Sequence, residues 1–186
     1  CSTSMEVGQA IRDMVVRGAP AIGVSAAYGL VLAAQESEEQ SLEDQRAYIF
    51  AQAKALKGTR PTAVNLGWAL DSMVSAVQEV SEGFKATLES VAVSIHTKDL
   101  EANHKMGAAG ADLISPGSSL LTHCNAGALA TTGYGTALGV IRSGFDKGSL
   151  QKVFATETRP WFQGSRLTAT ELRDDGIDVT LIADSA

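Results

Sequence analysis

Leu120-Leu121-Thr122-His123-Cys124-Asn125-Ala126-Gly127 is the stretch on which the fold turns. A short apolar, β-prone run ends in a polar Cys-Asn-x-Gly turn. The small-residue run that follows, Gly127 to about Arg142, is predicted to be a tightly packed helix. Strand, tight turn and helix N-terminus make up the place where open α/β sheets bind ligands. Here the turn carries a thiol.

Downstream, the alternation continues. Leu150 to Thr156 reads as a second strand, Gln163 to Asp174 as a helix and Ile177 to Ala183 as a third strand. Strands alternating with helices imply βαβ units and a parallel sheet. Upstream the pattern is helical: 5–16, Pro20 to Gln35, 42–57, 63–80 and 85–114, the last as one long helix or two joined ones. The expected class is therefore α/β, with an all-α N-terminal domain over 1–115 and a Rossmann-like parallel-sheet domain over 116–186, incomplete at its C-terminus. Both ends read as cuts, because the chain does not begin with Met and stops just after a strand-like run.

The 186 residues are 45% hydrophobic and 19% charged, which suits a packed globular core. A net charge of −6 argues against general attraction to nucleic acid or to an anionic membrane surface. Ala19 to Ala34 is apolar but too short to span a bilayer. Two cysteines, Cys1 and Cys124, give no disulfide framework, and a reducing cytoplasm is the expected compartment. The acidic run from Glu36 to Asp44 reads as a solvated connection between helices.

In a parallel sheet every strand delivers its C-terminal end to one edge. That edge would gather His123-Cys124-Asn125, Glu157-Thr158-Arg159 and Asp184-Ser185. Cys124, at a turn into a helix, would feel the helix dipole and favour thiolate chemistry; a small buried apolar role is its other reading. His123 points to the opposite strand face, so a direct His123–Cys124 dyad is not expected. Gly133, Gly135 and Gly139 have the wrong spacing for a dinucleotide fingerprint and are expected inside the helix, so no NAD site is predicted. Arg17-Gly18-Ala19-Pro20 places an arginine beside free N–H groups at a helix start, and Arg60 repeats that design. Together they suggest a phosphate; either alone fits an ordinary cap with a surface arginine. His96 and His104 lack metal-ligand spacing, and no metal is expected.

Four motifs in order then carry a resemblance over nearly the whole chain: Met14 to Gly23 (MVVRGAPAIG), Arg60 to Leu66 (RPTAVNL), Thr122 to Thr131 (THCNAGALAT) and Glu157 to Gly164 (ETRPWFQG). They resemble the methylthioribose-1-phosphate isomerase family of methionine salvage. The wider family also holds ribose-1,5-bisphosphate isomerases and non-catalytic regulatory subunits of the translation initiation factor 2B exchange factor. Cys124 favours the enzymes over those subunits. The resemblance implies a cytoplasmic homodimer converting 5-methylthioribose 1-phosphate to 5-methylthioribulose 1-phosphate without a cofactor. It implies Cys124 as the catalytic thiol, acting as base in a proton route or as polarising donor in a hydride route. It makes Arg17, Gly18, Ala19, Arg60 and Gln163 substrate contacts. The family's general-acid Asp, in a Gly-Ala-Asp-Arg type motif, does not occur before Ala186. These residues alone are therefore expected to be inactive, with Asp184 as a loop or cap residue.

Overall fold

Five helices build the N-terminal part: α1 (Ser4–Arg12), α2 (Ala19–Glu36), α3 (Leu42–Lys57), α4 (Val64–Gln78) and α5 (Phe84–Ala111). The computed structural model describes all residues, 1–186. They divide into two compact units, Cys1–Lys98 and Asp99–Ala186. The division falls inside α5 rather than near 115, because the last turns of that helix pack within the second unit. There, a Cβ on Gly107 would lie 2.8 Å from the Gly139 carbonyl oxygen, and one on Gly110 would lie 2.6 Å from Val140.

In the first unit, α2 packs most extensively against α4. Ile11, Leu30, Ile49, Leu66, Met73 and Leu88 are all at 0% exposure in one core. Burial of each such side chain contributes about 1.5–3 kcal/mol. α1 stops at Arg12, short of the expected residue 16. Met14 turns left-handed at φ 57°. The N–H groups of Val15 and Val16 then fold back onto the Ala10 carbonyl at 2.9 and 3.1 Å. The acidic connection joins α2 to α3 as expected, but Glu36 is not merely solvated: it accepts from the Ser4 N–H at 2.7 Å and the Tyr48 hydroxyl at 2.8 Å. No helix is long and apolar enough to cross a membrane.

The second unit holds three parallel strands in the order β1 (Ser118–Thr122), β2 (Leu150–Thr156), β3 (Val179–Ile182). Thr122 pairs with Ala155, and Ala155 with Leu181, so the strand ends are level. α6 (Ala137–Asp146) and α7 (Ala169–Asp174) form the crossovers. Leu138 and Ile141 of α6, Val153 of β2 and Leu172 of α7 share one core, so both helices cover the same sheet face. The α/β class and the parallel sheet stand as expected.

The expected helix from Gly127 to Arg142 does not form. A single 3-10 turn, Ala128–Ala130, is followed by an irregular loop before α6 begins. Polar contacts, most of them from elsewhere in the chain, outcompete the helix. The N–H and hydroxyl of Thr132 both donate to Asp99 Oδ2, at 3.1 and 2.7 Å. Thr131 Oγ1 donates to the Gly133 carbonyl at 2.9 Å, and the Arg142 guanidinium donates to the Tyr134 carbonyl. Gly133 and Gly135 therefore lie in a loop and only Gly139 is helical, contrary to the expectation that all three sit within a helix. The expected helix over Gln163 to Asp174 is a π-helical turn, Gly164–Thr168, running into α7.

Candidate active site

The level strand ends bring the expected polar groups of the second unit into contact. His123 Nδ1 lies 2.6 Å from Thr156 Oγ1. The Cys124 N–H donates to Thr158 Oγ1 at 2.9 Å. The N–H groups of Thr158 and Arg159 donate to the two carboxylate oxygens of Asp184 at 2.8 and 2.7 Å. Asp184 is thus the loop cap anticipated for it. The Arg159 N–H foremost, then that of Thr158, holds its carboxyl below the ordinary carboxylate range, and the nearby His123 adds to the effect.

Cys124 occupies this edge in a left-handed conformation, φ 61°, with its thiol free and the residue half-buried. Its backbone is pinned on both sides: Thr158 receives its N–H, and the Thr168 hydroxyl donates to its carbonyl. Such an unfavourable backbone geometry persists only where surrounding contacts enforce it. No α-helix starts directly behind the residue, because the expected helix is absent. The expected helix start is thus replaced by a rigid turn that presents the thiol.

Gln163 lies on the segment leaving β2. Its Oε1 atom is buried without a protein hydrogen-bond partner. A buried unmatched acceptor costs about 1–3 kcal/mol unless something donates to it. Beside it, Gly164 runs so close to β2 that an added Cβ would overlap the Thr156 carbonyl oxygen. Trp161 and Phe162 on the same segment are exposed.

Arg17, Gly18, Ala19 and Arg60 belong to the first unit. Gly18 caps α2 at φ 100° and offers no side chain to its first-turn N–H groups, and Pro20 follows within that turn. Ala63 caps α4 equally without a side-chain bond. The two helix starts are neighbours, since a Cβ on Gly23 would lie 2.9 Å from the Asn65 carbonyl oxygen. Arg17 and Arg60 precede these paired N-termini, are half-buried, and have no protein acceptor for either guanidinium. Free N–H groups, two helix dipoles and two unpaired guanidinium groups make an anion-binding arrangement. The sequence foreshadows both arginines; the adjacency of their helices comes from the packing of α2 on α4.

Four further residues organise the site: Thr158, Thr168, Arg142 and Glu171. Glu171 binds Asn125 Nδ2 at 2.9 Å and the Ala128 N–H at 2.7 Å, and pairs with Arg142 at 3.0 Å. Sequence periodicity places Glu171 and Arg142 on helices but carries no signal that they turn inward.

Several known proteins resemble this chain along its whole length. A methylthioribose-1-phosphate isomerase of Alkalilimnicola ehrlichii is 55% identical over 100% of this chain and 54% of its own length. The solved 5-methylthioribose 1-phosphate isomerase of Pyrococcus horikoshii OT3 superposes with TM-score 0.93 at 45% identity, over 100% of this chain and 53% of that one. A structure described as translation initiation factor eIF-2B, subunit delta, from A. fulgidus superposes with TM-score 0.90, also at 45% identity, over 100% of this chain and 55% of that one. The chain thus spans about half the length of the curated relatives it matches. The model of the initiation factor 2 subunit family matches residues 15–186, and the chain belongs to that family.

Proposed function

We propose that this chain carries the thiol and anion-binding parts of an aldose–ketose isomerase that converts 5-methylthioribose 1-phosphate to 5-methylthioribulose 1-phosphate. The observation that carries the reading is Cys124, free and pinned in a left-handed turn at the C-terminal edge of the sheet. The 55% identity to a named isomerase supports it.

The chemistry explains the residue types. The anomeric carbon bears a phosphate ester, so ring opening needs a proton delivered to the ring oxygen. Hydrogen then leaves C2 and arrives at C1, while the C2 hydroxyl loses its proton to become the ketone. The change is redox-neutral. Cys124 serves the hydrogen transfer, as base or as polarising donor. Arg17, the Gly18 and Ala19 backbone and Arg60 hold the phosphate. Gln163 Oε1 accepts from a sugar hydroxyl. Exposed Trp161 and Phe162 support an apolar 5-substituent over the second phosphate of ribose 1,5-bisphosphate. Homodimeric assembly in the cytoplasm belongs to the same reading, which light scattering and fractionation test.

Ketose formation from the sugar phosphate should occur in a protein spanning the relatives' full length and disappear in Cys124→Ser. Unchanged turnover in that variant removes the thiol from the mechanism. The A. fulgidus neighbour's description favours a second reading, a regulatory subunit of the exchange factor. Absence of isomerisation by the unsubstituted protein, with assembly onto other subunits, would select it.

A further inference from the structure

Glu171 is the only charged residue in the chain that is buried, at 8% exposure. Burying a carboxylate is costly unless donors surround it, and Glu171 is surrounded. Oε1 accepts from Asn125 Nδ2 at 2.9 Å and from the Leu129 N–H at 3.4 Å. Oε2 accepts from the Ala128 N–H at 2.7 Å and the Arg142 guanidinium at 3.0 Å. One helical turn earlier, Thr168 Oγ1 receives the same Asn125 amide at 3.2 Å and donates to the Cys124 carbonyl. Gly127 lies under the carboxylate, where a Cβ would overlap Oε2.

We propose that Glu171 is a positioning residue for the Cys124 thiol, its carboxylate fixing the path of residues 125–129 through Asn125, Ala128 and Leu129. The kinetic part of this inference rests on the isomerase reading above; the structural part does not. Every partner of the carboxylate is a donor, so charge and shape both matter. A glutamine would turn its own NH2 group against Asn125 and Leu129 in one orientation, or against Ala128 and Arg142 in the other. The turn must then shift, and Cys124, covalently joined to Asn125, shifts with it. Misplacement of a reacting group by about 1 Å costs on the order of 100-fold in rate.

The test, made in a protein spanning the relatives' full length, compares the unsubstituted protein with Glu171→Gln, Asn125→Ala and Leu172→Ala. Leu172, at 0% exposure on the same helix, controls for destabilisation alone. Two readouts are taken below every Tm: steady-state kcat and KM, and the rate of Cys124 alkylation by iodoacetamide, followed by peptide mass mapping across pH. Glu171→Gln and Asn125→Ala should lower kcat about 10- to 100-fold with KM within about twofold. They should also change the alkylation rate about threefold or more at fixed pH. Leu172→Ala should lower Tm and leave both readouts as they were. The proposal is overturned if Glu171→Gln alters them no more than Leu172→Ala does. If Glu171→Gln does not fold, Asn125→Ala decides, and unaltered kcat and alkylation in that variant overturn the proposal. If the unsubstituted protein forms no ketose, the isomerase reading fails while alkylation still decides the positioning.

Discussion

The backbone N–H of Cys124 donates to the hydroxyl of Thr158 at 2.9 Å, and both residues are left-handed, at φ 61° and φ 60°. Each conformation costs a non-glycine residue about 1–2 kcal/mol. The two sit at the ends of neighbouring strands, and the bond lets one support the other. Thr158→Ala leaves the Cys124 N–H without its acceptor. Stability should fall by about 1–3 kcal/mol in urea unfolding. Thr158→Ser keeps the hydroxyl and removes β-branching from a left-handed position, so it should match or exceed the unsubstituted protein.

Asp184 governs the acid limb of stability. Hydrogen bonds from the Arg159 and Thr158 N–H groups lower its folded-state pKa. A depressed carboxyl contributes stability above its unfolded value, about pH 4, and loses it as pH falls through the folded value. Asp184→Asn should therefore be less stable than the unsubstituted protein at neutral pH. The difference should narrow below about pH 4 and close at lower pH. Urea unfolding of both proteins from neutral to strongly acidic pH checks this, and a gap independent of pH would refute it.

Legibility in the sequence follows local chemistry. α3 and β2 are legible to the residue, because Ser41 and Gly58 bracket one and β-prone residues fill the other. The level strand ends, and with them the grouping of Cys124, Thr158 and Asp184, follow from alternation alone. The region from Gly127 to Thr136 does not. Its Ala, Gly and Leu content suggests a helix, yet Asp99, Glu171 and Arg142 reach it from elsewhere in the chain and bind its backbone. Such long-range polar capture leaves no periodicity. Met14 gives no warning of its left-handed turn for a similar reason: the fold-back onto Ala10 is set by chain path rather than by residue type.

Gly164 should be the least replaceable glycine of the second unit. The atom that an added Cβ would overlap is a β2 carbonyl oxygen, which cannot move without breaking the sheet. Gly148 offers a contrast: its φ is 65°, but nothing lies within 4 Å of where a Cβ would stand. Gly148→Ala should cost about 1–2 kcal/mol, the left-handed penalty alone. Gly164→Ala should exceed about 3 kcal/mol or prevent folding, as severe overpacking does. Thermal unfolding of the two variants side by side ranks them, and equal losses would contradict the close approach.

Arg17 and Arg60 should separate binding from stability. Neither guanidinium has a protein partner, so Arg60→Met removes charge without stranding a buried counterion. Tm should move by less than about 2 °C, as for a surface substitution on a domain of this size. Affinity for a phosphorylated ligand should fall about 10- to 100-fold, the loss expected for one charge-assisted hydrogen-bonding group. Arg17→Met should behave alike. Because α2 and α4 start side by side, the double variant should lose less than the product of the single losses, since both groups would act on one anion. Isothermal titration with inorganic phosphate or the sugar phosphate measures all three. Strictly multiplicative losses would place the two arginines on separate anions.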